Sequence, residues 1–134
     1  MLAKSPAIMA EPGRCLAATA GMVRSEVVLA TQRDGQDVRW VYLDIGKFGG
    51  LAETIDEAIQ YPIVTERDGG NPVPTVLAGP TCDGADVLYQ IAGYQLPAEL
   101  GAGDWVEFRH AGAYTASYSS VGFNGFGPLK EYYL

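Results

Sequence analysis

Residues 73–86 read Val-Pro-Thr-Val-Leu-Ala-Gly-Pro-Thr-Cys-Asp-Gly-Ala-Asp, and two kinds of structure meet inside them. The apolar residues of 73–78, interrupted by Pro74 and Thr75, have the composition of a strand, with Pro74 marking an edge or an irregular start. From 79 to 86 the backbone is punctuated by Gly79, Pro80 and Gly84 and carries one thiol, Cys82, and two carboxylates, Asp83 and Asp86. A loop held by the end of a strand presents reactive groups from a rigid base. This stretch therefore points to a β fold and to the place where chemistry is expected.

The same alternation appears on both sides of it. Residues 16–31 run from Ala-rich to β-branched, Asp34-Gly35 is a hairpin signal, and residues 38–43 return, which predicts two long antiparallel strands. Residues 105–108, Trp-Val-Glu-Phe, alternate as a half-buried strand. Between these, Leu51, Ile55, Ala58 and Ile59 recur at helical spacing and predict a short amphipathic helix ending before Pro62. Residues 65–72 form a polar connection. The glycines of Asp44-Ile45-Gly46-Lys47-Phe48-Gly49-Gly50 permit sharp turns or the close approach of a ligand, without the spacing of a phosphate-binding loop. At the start of the chain, Ala7, Ile8, Met9 and Ala10 read as one buried strand followed by the turn Glu11-Pro12-Gly13-Arg14.

The 134 residues suit one domain. Hydrophobic residues make up 48% and charged residues 19%, with 17 Gly and 8 Pro, which fits a loop-rich β fold better than a disordered chain or a helical bundle. A net charge of −7 with nine scattered Lys and Arg argues against a nucleic-acid surface. No run approaches the ~18 apolar residues of a membrane helix, and the N-terminus lacks the layout of a secretory signal, so the expectation is a cytoplasmic chain without a membrane partner. Cys15 and Cys82 are far apart, which favours free thiols. With His110 the only histidine, neither a metal site nor a serine triad is expected.

Four separated motifs then agree: Glu11-Pro12-Gly13-Arg14, the 79–86 loop, Gly112-Ala113-Tyr114-Thr115 and Phe123-Asn124-Gly125-Phe126. Together, and in this order, they resemble the C-terminal part of fold-type III pyridoxal-phosphate decarboxylases, the ornithine and lysine decarboxylases above all, over almost the whole chain. The resemblance implies a mainly β fold, the C-terminal β-barrel or Greek-key-like sheet domain of the alanine racemase/ornithine decarboxylase type, with one or two short helices. Residues 1–20 would be the remnant of the last strand of an N-terminal (β/α)8 barrel, carrying the EPGR motif, and residues 21–134 the C-terminal β domain. The rest of the barrel, with the lysine that carries the cofactor, would lie outside this chain. Lys4, Lys47 and Lys130 are its lysines, and none has a matching context.

By the same resemblance, Glu11 would sit beside the ring nitrogen of pyridoxal 5′-phosphate and keep it protonated. Arg14 would bind the cofactor phosphate through a planar guanidinium, with Tyr114 as a second phosphate ligand. Cys82 matches the thiol that returns a proton to the α-carbon after decarboxylation; the bland alternative is a buried structural thiol. Asp83 matches the carboxylate that grips the distal ammonium of a diamino acid, and Asp in place of the Glu usual in diaminopimelate decarboxylases favours ornithine or lysine. Both would act in the site of the second subunit of a head-to-tail homodimer. Asp44 stands one residue away from the acidic position of eukaryotic ornithine decarboxylases, so a substrate contact and a structural turn are both open. Phe123 resembles an interface aromatic near the substrate, and a plain core aromatic is the alternative.

The expected function is the C-terminal segment of an ornithine or lysine decarboxylase making putrescine or cadaverine for polyamine synthesis, inactive by itself. A non-catalytic partner or regulator of a split or intact decarboxylase, a truncated gene product, and a diaminopimelate decarboxylase are the alternatives.

Overall fold

A computed structural model describes residues 6–134; the first five, Lys4 among them, lie outside the described residues. Seven strands form one mixed sheet: β1 (Val23–Gln32), β2 (Arg39–Leu43), β3 (Ile63–Thr65), β4 (Pro72–Ala78), β5 (Val87–Leu88), β6 (Tyr94–Pro97) and β7 (Trp105–Phe108). Their order is β3-β7-β1-β2-β4-β5, with β6 also paired to β4. The expected hairpin is present: β1 and β2 run antiparallel, and Gly35 in the connection has φ 75°. β1 is the strand on which the sheet curls into a half-barrel. Residues 23–26 pair with β7, residues 27–32 pair with β2, and the register shifts between Val27 and Leu29. Such a bulge bends a strand and increases its twist. Up to the bulge Val23, Ser25 and Val27 point inward; past it the alternation breaks and Val28 and Leu29 are exposed.

β4 lies inside the sheet rather than at its edge. Its pairing with β2 is parallel and begins at Thr75, so Pro72 and Pro74 precede the segment that must donate to that neighbour. Parallel pairing needs a long crossover, and residues 44–71 supply it. The core between these layers includes Val27, Val41, Leu43, Leu77, Leu88, Tyr89, Leu100, Val106 and Phe108, each at most 1% exposed. Full burial of each aliphatic side chain contributes about 1.5–3 kcal/mol.

Three local expectations are corrected. Ala7, Ile8, Met9 and Ala10 form no strand and are exposed, since no strand among the described residues pairs with them. β1 starts at Val23; the Ala-rich residues before it form helical turns, α1 (Arg14–Ala17) and a 3-10 turn (Ala18–Ala20), in keeping with alanine's helix propensity. Residues 51–59 are not one amphipathic helix. Ile55 is extended (ψ 133°) and half exposed, while Asp56 and Glu57 have φ of 52° and 55°, which breaks the segment into 3-10 turns.

Candidate active site

The four motifs gather into two clusters. In the first, residues 11–14 meet residues 112–115. The Gly112 N–H donates to the Ala18 carbonyl (3.0 Å) and Ala111 N–H to the Gly21 carbonyl (2.9 Å). A methyl group on Gly112 would fall 2.1 Å from the Ala17 carbonyl oxygen, so only glycine lets these backbones approach. The contact sets Tyr114 beside Arg14: the guanidinium lies 5.4 Å from the Tyr114 ring centroid. The Tyr114 hydroxyl stands over Gly13, where an added methyl group would be 2.7 Å from it. Arg14 also pairs with Glu53, and that hydrogen bond raises the pKa of the guanidinium. Behind the pair, Tyr61 is buried and its hydroxyl has no hydrogen-bond partner among the described residues. Burial, with the Glu53 charge adding to it, raises the Tyr61 pKa. Glu11 is exposed, three residues before Arg14.

The second cluster is built on the loop after β4. Cys82 is exposed in this chain, and Cys15 is likewise free and exposed. Cys82 has φ 60°, a left-handed conformation that non-glycine residues adopt under constraint. Asp83 is exposed and its Oδ1 accepts the Ala85 N–H (2.8 Å), a local turn. Asp86, only 1% exposed, holds the loop from within: its carboxylate accepts Lys47 N–H (2.7 Å), Thr81 N–H (3.3 Å) and the Thr81 hydroxyl (2.7 Å). Next to it, the Phe123 ring stacks on Phe48 at 4.4 Å between centroids. The Asn124 amide donates to the Thr81 carbonyl at 2.6 Å.

A cleft of about 400 Å³ opens against this second cluster, with Asp44, Phe48, Thr81, Phe123, Lys130 and Tyr132 in its walls. Asp44 has a structural job there: Oδ1 accepts the Ser25 hydroxyl (2.6 Å) and Glu26 N–H (2.9 Å), fixing the end of β2 against β1. Phe123 is half-buried and lines the cleft instead of lying in the core. Asp86, Asn124 and Glu53 received no role from the sequence. The visible signal was glycine: Gly46 and Gly79 both abut the Asp86 carboxylate, where a methyl group would fall 2.1 and 2.2 Å from its oxygens. Among the described residues no group of three or more His, Cys, Asp or Glu could hold a metal ion, and no helix is long and apolar enough to cross a membrane.

Residues 15–112 match the family described as pyridoxal-dependent decarboxylase, C-terminal sheet domain. The chain belongs to this family. A probable ornithine decarboxylase from Dictyostelium discoideum is 36% identical over 94% of the chain, and a lysine/ornithine decarboxylase from Selenomonas ruminantium 37% identical over 90%. The lysine/ornithine decarboxylase from Vibrio vulnificus, solved with cadaverine, superposes with a TM-score of 0.75 at 38% identity over 88% of this chain. The chain spans 30%, 29% and 31% of those three proteins. Diaminopimelate and arginine decarboxylases match this decarboxylase sheet domain too.

The donors of the first cluster fit the family's cofactor. The Arg14 guanidinium lies against the Tyr114 ring and its side chain remains 31% exposed, so the pair offers an accessible planar cation beside a phenol, donor types that suit a phosphate. The Glu53 carboxylate already holds Arg14 in place there.

Proposed function

We propose that this chain supplies the carboxy-terminal half of the active site of an ornithine or lysine decarboxylase, releasing carbon dioxide to give putrescine or cadaverine for polyamine synthesis. The observation that carries this is Cys82: an exposed thiol in a constrained backbone conformation, on a loop locked at Thr81 and Asp86, beside a cleft walled by Phe123. Pyridoxal 5′-phosphate, when bound, supplies the electron sink that makes loss of the carboxylate feasible. Arg14 and Tyr114 would hold its phosphate, and Glu11 would lie by its ring nitrogen, favouring the protonated form.

The remaining roles belong to the substrate. Cys82 Sγ holds the proton that is delivered to the substrate α-carbon once carbon dioxide has left, which directs the product to the amine rather than to transamination. Asp83 meets the distal ammonium of the diamino acid and selects it against apolar amino acids. Phe123 borders the substrate, and Asp44, whose Oδ1 is used structurally, contributes negative charge to the same cleft. Residues 7–10 pair with a neighbouring strand only when residues 1–20 join a (β/α)8 barrel, and Cys82 and Asp83 serve the site of the second subunit of a homodimer. The setting is cytoplasmic.

The test is radiolabelled carbon dioxide release from L-ornithine and L-lysine. The 134 residues alone give neither carbon dioxide nor cofactor absorbance, and joining them to a relative's barrel restores both. Turnover by the isolated chain, or a properly folded chimera that binds cofactor but never decarboxylates, overturns the proposal.

A further inference from the structure

Thr81, the residue before Cys82, is gripped through every polar group it has. Its N–H and hydroxyl go to Asp86 Oδ2, at 3.3 and 2.7 Å, and its carbonyl accepts the Asn124 amide at 2.6 Å. Thr81 is buried while Cys82 is exposed, so the peptide that joins them is anchored at one end. Asp86 grips it from within the same loop. Asn124 reaches it from a separate segment, directly after Phe123 in the cleft wall. Its own φ of 49° is a conformation asparagine tolerates and most residues avoid.

We propose that Asn124 is a positioning residue: it fixes the carbonyl of the Thr81–Cys82 peptide and so couples the direction of the thiol to the aromatic wall of the cleft. The wall is itself tied down, because Phe123 stacks on Phe48 and the Ser120 N–H donates to the Phe48 carbonyl at 2.8 Å. Residues 44–50, 79–86 and 120–126 thus share one junction. A ligand that displaces Phe123 moves Asn124, and with it the peptide that carries Cys82. The catalytic meaning of this coupling rests on Cys82 being the proton donor; the tether itself does not.

Amide hydrogen exchange by NMR tests the tether in Asn124→Asp and Asn124→Gly. Neither variant has a side-chain donor at neutral pH, and glycine keeps the left-handed backbone without strain. Asp86 still accepts the Thr81 N–H in both variants, but with the carbonyl end released the residue opens locally more often, and exchange at the Thr81 amide accelerates about three- to tenfold. The amides of Lys47, Val41 and Leu77 stay within about twofold, whereas general destabilisation would accelerate them all. In the assembled decarboxylase, both variants shift the ratio of transamination to amine product in the direction of Cys82→Ala, with KM unchanged. Unaltered Thr81 exchange, or acceleration spread evenly through the core, overturns the tether. A product ratio that responds to Cys82→Ala but not to either Asn124 variant overturns the positioning role. If Thr81 exchange accelerates while Cys82→Ala itself leaves the products unchanged, the tether stands and the proton-donor reading fails.

Discussion

Replacing Gly46 by alanine tests how the reactive loop is locked. A methyl group there falls 2.1 Å from Asp86 Oδ1 and 2.7 Å from both Cγ and Oδ2. Restoring a contact of ordinary length requires the carboxylate to retreat by about 1 Å. That retreat stretches the 2.7 Å bond from Lys47 N–H to the same Oδ1 to roughly 3.7 Å, beyond hydrogen-bonding range. Loss of one charge-assisted bond costs about 1.5–3 kcal/mol, so the predicted loss is about 3 kcal/mol with overpacking included. Urea unfolding followed by tryptophan fluorescence measures it, using Trp40 and Trp105. The decisive comparison is the same substitution in an Asp86→Ala background. There the carboxylate is gone and Gly46→Ala costs no more than about 0.5 kcal/mol, a coupling of about 2–3 kcal/mol between the two sites. Equal costs in the two backgrounds would show that Asp86 does not occupy the space beside Gly46, and the account of the loop would fail.

Two further outcomes follow from groups already described. Burial raises the phenol pKa values of Tyr61, Tyr89 and Tyr94, most strongly for Tyr89; the fold favours the neutral phenols, so their stabilisation is full below about pH 10 and fades as the pH climbs through the raised values. Phenolate absorbance should therefore show these three of the eight tyrosines ionising only as the chain unfolds, and reversible ionisation of more than five in the folded state would contradict that. In the assembled decarboxylase, Asp83→Ala should lower kcat/KM for the diamino acid by about 2–5 kcal/mol, some 30-fold or more, while leaving cofactor absorbance intact; an unchanged preference for diamino acids over apolar ones would remove Asp83 from substrate recognition.

What could be read from the sequence depended on the range of the contact that fixed it. The β1–β2 hairpin was legible because Asp34-Gly35 encodes its turn locally, and β4 and β7 because their apolar runs are bounded by turn residues. The segment 51–59 was not. Its apolar spacing matches a helix, but Glu57 turns away to accept the N–H groups of Ile91 and Ala92 at 2.6 and 2.7 Å, a contact no local window contains. The parallel pairing of β2 with β4 is hidden for the same reason. Within the site, the motif resemblance picked out Arg14, Tyr114, Cys82 and Phe123, and the fold brings Arg14 to Tyr114 and the Cys82 loop to the Phe123 segment. The residues that hold these groups in place escaped notice, because Glu53, Asp86 and Asn124 act through partners distant in sequence or through backbone atoms that carry no sequence signature.

The proposed role of Cys82 is to deliver the proton that completes decarboxylation. Its most direct test is the product mixture formed from ornithine or lysine by the assembled decarboxylase carrying Cys82→Ala. The account predicts slower amine formation and the appearance of transamination product. An unchanged rate together with an unchanged product distribution would contradict it.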